Sequence, residues 1–167
     1  DFINEVDTDV RDILSAVIED ESFPKSASKE INSFLFKTPV DLVFTNYEPE
    51  KKFVEHLCKP ENAKVIDSWL KSRDVGFYSI EYSITSVAGK HSKVQGFNPD
   101  FFIKTTQNNV THIIIIETKF DGDVTAENRA KNKYAKIHFE NLNTELKNRS
   151  INEIYHFHFL SPSSYVI

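Results

Sequence analysis

Asn98-Pro99-Asp100-Phe101-Phe102-Ile103-Lys104 and His112-Ile113-Ile114-Ile115-Ile116-Glu117-Thr118-Lys119 decide how this chain folds. They read as strands over 101–104 and 112–116, joined by the polar turn Thr105-Thr106-Gln107-Asn108-Asn109. Folding the chain back about Asn108 and Asn109 sets Asp100 opposite Glu117 or its neighbour. Directly opposed residues of an antiparallel pair have Cβ atoms roughly 4.5–5.5 Å apart. Two carboxylates at that spacing can share one hard divalent cation. Lys119 lies two residues beyond Glu117 and so leaves the strand on the same face. The four consecutive Ile are apolar on both faces, the pattern of a central strand covered on both sides.

Outward from this hairpin, the periodicity predicts a helix over 48–59 with Pro49 in its first turn. A second helix is expected over about 62–71, stopped near Asp74-Val75-Gly76. An alternating strand follows over 77–84, then a loop over 88–96 rich in Gly, Lys and His. Beyond the hairpin a long helix runs from about 125 to 148, with Thr125 as N-cap, and a last strand covers 154–160. This order predicts an α/β fold, a mixed sheet of about four to five strands flanked by helices. Residues 5–20 read as an amphipathic helix and 31–36 as a short one. Residues 1–46 are therefore assigned as a helical connecting segment from a preceding domain, and 47–167 as the domain that holds the site. The chain starts at Asp1 and has no Met, which leads to the expectation that it is part of a longer protein.

At 167 residues the chain suits one domain with a sizeable core, and 14 Phe, 6 Tyr and 1 Trp are enough to fill it. No apolar run approaches the roughly 20 residues that cross a bilayer. Cys58 is the single cysteine, so no disulfide forms within the chain and a reducing, cytoplasmic setting is expected. Net charge is −5, unevenly spread: residues 1–61 carry −7 and residues 62–167 carry +2. Arg129, Lys131, Lys133, Lys136, Lys147 and Arg149, against Glu140 and Glu145, make the segment after the hairpin basic, a pattern that suits a neighbour of the site and equally a solvated helix face.

A third acid is available from the helix upstream. Glu50, Phe53, Val54 and Leu57 have the i, i+3, i+4, i+7 spacing, which puts Glu50 on the apolar face and Glu55 well away from it. An inward acid wants a partner or a cation. Glu50 also lies in the first turn, where an acid complements the helix dipole, and spacing alone does not choose between the two roles. His156 and His158 alternate with Phe157 and Phe159; with no third ligand close in sequence, a half-exposed strand is the better reading than a zinc site. Asp121-Gly122-Asp123 reads as a turn. There is no phosphate-binding glycine loop and no Gly-x-Ser-x-Gly elbow.

Pro99-Asp100 with Glu117-Thr118-Lys119 resembles the motif of the PD-(D/E)xK nuclease superfamily. More narrowly, Glu50-Lys51-Lys52-Phe53-Val54-Glu55-His56-Leu57, Phe97-Asn98-Pro99-Asp100-Phe101, Glu117-Thr118-Lys119, His138-Phe139 and Leu142-Asn143 resemble the C-terminal endonuclease domain of type III restriction enzymes and related helicase–nuclease subunits. The resemblance covers roughly 47–160. It implies a restriction-endonuclease-like core and Mg²⁺-dependent hydrolysis of DNA phosphodiesters, with Mn²⁺ able to substitute. Asp100 and Glu117 would be metal ligands, Lys119 the catalytic lysine, and Glu50 the helix acid, a further catalytic and metal-site residue that contacts a metal-bound water or helps bind a second ion. Lys131, Lys133 and Lys136, with Lys90 and Lys93 from the loop, are the expected DNA-backbone contacts. The resemblance also implies fusion to an ATP-dependent helicase or translocase, a modification or specificity subunit as partner, and a role in phage defence. The alternative is a nuclease-fold module that binds DNA or protein without cutting.

Overall fold

The computed structural model describes residues 28–30, 37–40, 42–72, 77–84 and 93–165. The predicted helices over 5–20 and 31–36, and Lys90, lie outside the described residues. The elements run β1 (Ser28–Glu30), β2 (Leu42–Phe44), α1 (Glu48–Leu57), α2 (Pro60–Val65), β3 (Ser68–Lys71), β4 (Ile80–Ile84) and β5 (Lys93–Phe97), then β6 (Phe101–Gln107), β7 (Val110–Thr118), α3 (Ala126–Asn148) and β8 (Glu153–Leu160), with a 3₁₀ turn over Pro162–Ser164. The main sheet has the order β3-β6-β7-β8; β1-β2 and β4-β5 form two-stranded sheets. β3, β6 and β7 pair antiparallel, and β8 joins parallel to β7. A parallel neighbour cannot follow through a tight turn, and α3 is the crossover that supplies the length. The fold is α/β, a mixed sheet flanked by helices.

The β6–β7 hairpin turns on Asn108 and Asn109, both with positive φ (51° and 63°). This is the pattern of a type I′ turn, whose twist matches that of its strands, and Asn tolerates the left-handed region. The turn fixes the register: Phe101 faces Ile116 and each pair follows in step to Gln107 and Val110. Both strands are longer than the sequence predicts, because the ladder continues through Thr105, Thr106 and Thr111 to the turn.

Period-two alternation then divides the core between the two faces. Ile114 and Ile116 join Phe53, Val54, Leu57, Trp69, Phe101 and Tyr165 on the α1 side. Ile113 and Ile115 join Phe97, Phe139 and Phe157 on the α3 side. β7 is thus covered on both faces. α3 is capped as its sequence suggests, with the Thr125 side chain accepting from the Asn128 N–H at 3.1 Å. It ends in a Schellman turn: the Ile151 N–H donates to the Leu146 carbonyl, the Ser150 N–H to that of Lys147, and Ser150 takes φ 58°.

Two expectations are corrected. The helix predicted over 62–71 stops at Val65, and 68–71 form β3. Ile66 is extended at the helix end, and the Ser68–Lys71 backbone pairs with β6 instead, burying Trp69. The gain comes from partners 30 to 36 residues away, which local propensity cannot register. The loop predicted over 88–96 contains β5, paired with β4 from Ile80↔Phe97 to Ile84↔Lys93. Val43, inside the segment assigned as connecting, is part of the α1-side core, next to Thr45 at 1% exposure.

Candidate active site

The hairpin register, carried one step past Phe101↔Ile116, sets Asp100 against Glu117 at the end of the sheet. Asp100 is pinned by that pairing. Its Oδ2 accepts from the Thr118 N–H and from the Thr118 hydroxyl, each at 2.7 Å, and its carbonyl accepts from the Ser72 N–H at 2.7 Å. Pro99, fully buried, fixes the approach to the strand. Asn98, just before it, accepts from the Tyr78 N–H at 3.1 Å.

Glu117 follows the four Ile into a place water barely reaches, 4% exposed. Its Oε1 lies 2.8 Å from Lys119 Nζ, and its Oε2 is buried with no hydrogen-bond partner among the described residues. Burial pushes its pKa up to about 7, and the Asp100 charge adds to this; Lys119 and Lys131 pull the other way without cancelling it. Burial on its own would lower the Lys119 pKa, but Glu117, its hydrogen bond and Asp100 outweigh it, so the ammonium is held above its ordinary value. Lys119 is anchored by its own N–H, which donates to the Leu160 carbonyl at 2.8 Å.

Glu50 does face inward, at 5% exposure. Its Oε2 accepts from the Asn46 N–H at 2.8 Å, a reach-back related to a capping box, and its Oε1 lies 3.7 Å from Lys71 Nζ. The two roles that the sequence left open are thus both visible: the acid closes the helix start and also walls the cavity. Glu50, Asp100, Glu117 and Lys119 line one cavity of about 340 Å³ together with Asn46, Tyr47, Lys71, Ser72, Asn98 and Pro99.

The donor set fits a hard divalent cation. Two carboxylates face each other, and among the described residues nothing satisfies the buried oxygen of one of them, nor Ser72 Oγ, buried in the same wall. Unsatisfied buried oxygens are rare in folded proteins and are costly unless something takes them up. Asp100 and Glu117 could hold such an ion.

Lys71 is the site residue that sequence reasoning missed. Its side chain is 8% exposed and lies 6.0 Å from the Phe101 ring centroid. The alternation Trp69-x-Lys71 was the available signal, hidden by the reading of 62–71 as helix. Of the expected DNA contacts, Lys133 and Lys136 are exposed on α3. Lys131 is not a free surface cation: it pairs with Glu127 at 2.9 Å, is 16% exposed, and lies over the Tyr82 and Phe97 rings at 5.5 and 5.8 Å. The side chain of Lys93 lies outside the described residues. Cys58 caps α1 and packs against the core. His156 accompanies His112 rather than a metal triad: Nε2 and Nδ1 are 2.9 Å apart, and His158 is exposed. Asp121 accepts from the Ser163 N–H and hydroxyl, outside the cavity.

The protein is thus of the α/β class, with a carboxylate–lysine cavity at the end of a central strand. The chain matches no family model, no curated protein and no solved structure.

Proposed function

We propose that this chain is a Mg²⁺-dependent DNA endonuclease of the PD-(D/E)xK kind. The observation that carries the reading is the convergence of Asp100, Glu117, Lys119 and Glu50 on one cavity, with Glu117 Oε2 buried and unsatisfied among the described residues. Asp100 and Glu117 would hold the ion, whose oxygen preference suits two carboxylates with water and a phosphate oxygen in the remaining positions. When bound, a divalent ion supplies charge that polarises the scissile phosphate and makes a water easier to deprotonate.

The chain's own residues do the rest. Thr118 holds Asp100 through two hydrogen bonds, so that the carboxylate meets the substrate side already oriented. Lys119 is charged on arrival, which suits it to orient the attacking water and to stabilise charge growing on the phosphate, rather than to accept a proton. The exposed Lys133 and Lys136 supply phosphate-backbone affinity without sequence choice. Sequence choice would come from a modification or specificity subunit. Delivery of DNA would come from an ATP-dependent helicase or translocase in the same polypeptide, in the cytoplasm of a cell that restricts phage. No described helix is long and apolar enough to cross a membrane.

The test is nicking of supercoiled plasmid by the purified chain with Mg²⁺ or Mn²⁺, beside EDTA and Lys119→Ala. Metal-dependent nicking that Lys119→Ala abolishes is the expected result. No nicking, together with no carboxylate-dependent Mn²⁺ binding, would overturn it. Mn²⁺ binding without nicking would favour the non-cleaving module that binds DNA or protein.

A further inference from the structure

The cavity contains two lysines, and they stand differently toward its three carboxylates. Lys119 takes one oxygen of Glu117 at 2.8 Å and leaves the other buried without a partner among the described residues. Lys71 stands 3.7 Å from Glu50, and both side chains are almost wholly enclosed, at 8% and 6% exposure. Glu50's other oxygen accepts the Asn46 N–H at 2.8 Å. The oxygens of Glu50 are therefore both engaged by the protein. The hydrogen bonds to the Asp100 side chain, by contrast, both fall on Oδ2, and Glu117 keeps Oε2 open.

Charge points the same way as the oxygen census. Among the described lining residues, three carboxylates against two ammoniums leave one negative charge in excess, which one divalent ion more than neutralises. A second divalent ion would have to sit beside Glu50, and there it would meet the Lys71 ammonium in a place poorly screened by water. Lys71 is fixed where it is by the backbone: β3 pairs Lys71 with Phe101, the residue after Asp100, and Lys71 lies 6.0 Å from that ring's centroid.

We propose that Lys71 holds the place of a second cation, so that the cavity takes a single divalent ion between Asp100 and Glu117 while Glu50 serves as the partner of Lys71. The inference rests on the metal-site reading above and specifies it. Lys71 is then a fixed positive charge on the Glu50 side of the phosphate, matching Lys119 on the other.

The experiment counts Mn²⁺ bound to the full 167-residue chain, by the loss of the free-ion paramagnetic resonance signal and by calorimetry. The wild type should bind one ion, and Asp100→Asn should abolish it. Lys71→Gln should admit a second ion, and Lys71→Arg should keep the count at one. Glu50→Gln with Lys71→Gln removes the pair without changing net charge. It should leave one ion bound within about threefold of the wild-type affinity, whereas loss of a true ligand shell costs more than about tenfold. Two ions in the wild type, one ion in Lys71→Gln, or a tenfold loss in the double variant would overturn the inference and leave the metal-site reading standing. No Mn²⁺ lost on Asp100→Asn would remove both. Should Lys71→Gln fail to fold, the wild-type count and the double variant still decide.

Discussion

The two ends of the β6–β7 hairpin carry polar groups in similar number and treat them in opposite ways. At the turn end, Asn108, Asn109 and Gln107 are exposed, and His112 and His156 share a half-buried edge of the sheet. At the other end, Glu117 and Thr118 are buried at 4% and 6%, and Asp100 is gripped by Thr118. The strands are the same; the cover differs. α1 and β3 close over the end where Asp100 and Glu117 meet, and little closes over the turn. Enclosure turns an ordinary carboxylate into one whose pKa rises to about 7 and whose second oxygen has no partner among the described residues. Gln107, Asn108 and Asn109 at the turn end remain exposed surface groups.

Four results would break or sharpen that contrast. The largest effect should come from Phe101→Ala, which empties the packing under the covered end. Phe101 is 0% exposed and meets the Phe53 ring edge-on at 4.9 Å, so urea unfolding should show a loss of about 3–5 kcal/mol. Ile154→Ala, toward the turn end and 38% exposed, should lose less than about 1 kcal/mol. Equal losses would mean that the two ends are not differently packed.

Next is chemistry. Lys119→Ala should cut metal-dependent plasmid nicking by about 10²–10³-fold, the usual cost of removing one preorganised charge-stabilising donor. His112→Asn should leave the rate within about twofold, a change of less than 1 kcal/mol in barrier. A large His112 effect would move the site to the other end of the sheet.

The third is a pH dependence. Glu117 has a folded pKa of about 7 against an ordinary 4.5. A group raised in this way contributes stability that is fully present below its unfolded value and is lost as pH rises through the folded one. In EDTA, wild-type stability should therefore carry a loss between about pH 4.5 and 7, on the order of 3 kcal/mol, that Glu117→Gln lacks. Thermal melts of the two proteins across pH 4.5–8 isolate this term, since all other carboxylates are common to both. Parallel curves would show that Glu117 is not enclosed in solution.

The smallest effect concerns the turn. Asn109 holds φ 63°, where a β-branched residue is strained, so Asn109→Val should cost about 1–2 kcal/mol in chemical unfolding. Asn109→Gly should be neutral or slightly stabilising, because Asn-Gly suits a type I′ turn. The Asn109 carbonyl also accepts from the Asn152 side chain, which ties the turn to the start of β8.

The sequence by itself determined the hairpin, its register, the buried central strand, the long capped helix and the inward turn of Glu50. Each of these follows from short-range rules: period two in a strand, 3.6 in a helix, Asn at a positive φ, Thr at an N-cap. Since a two-residue turn fixes the whole ladder, the meeting of Asp100 with Glu117 or its neighbour was legible from chain order, and the observed register settles it on Glu117. Tertiary structure alone decided the rest. That 68–71 extend as β3 depends on an open edge of β6, which no local pattern announces. That Lys71 enters the cavity follows from that pairing, and that Lys131 serves Glu127 and two rings rather than the surface follows from how α3 lies on Tyr82 and Phe97. A side chain's charge is written in the sequence, but its partner is set by whichever distant element the packing of apolar surface brings beside it.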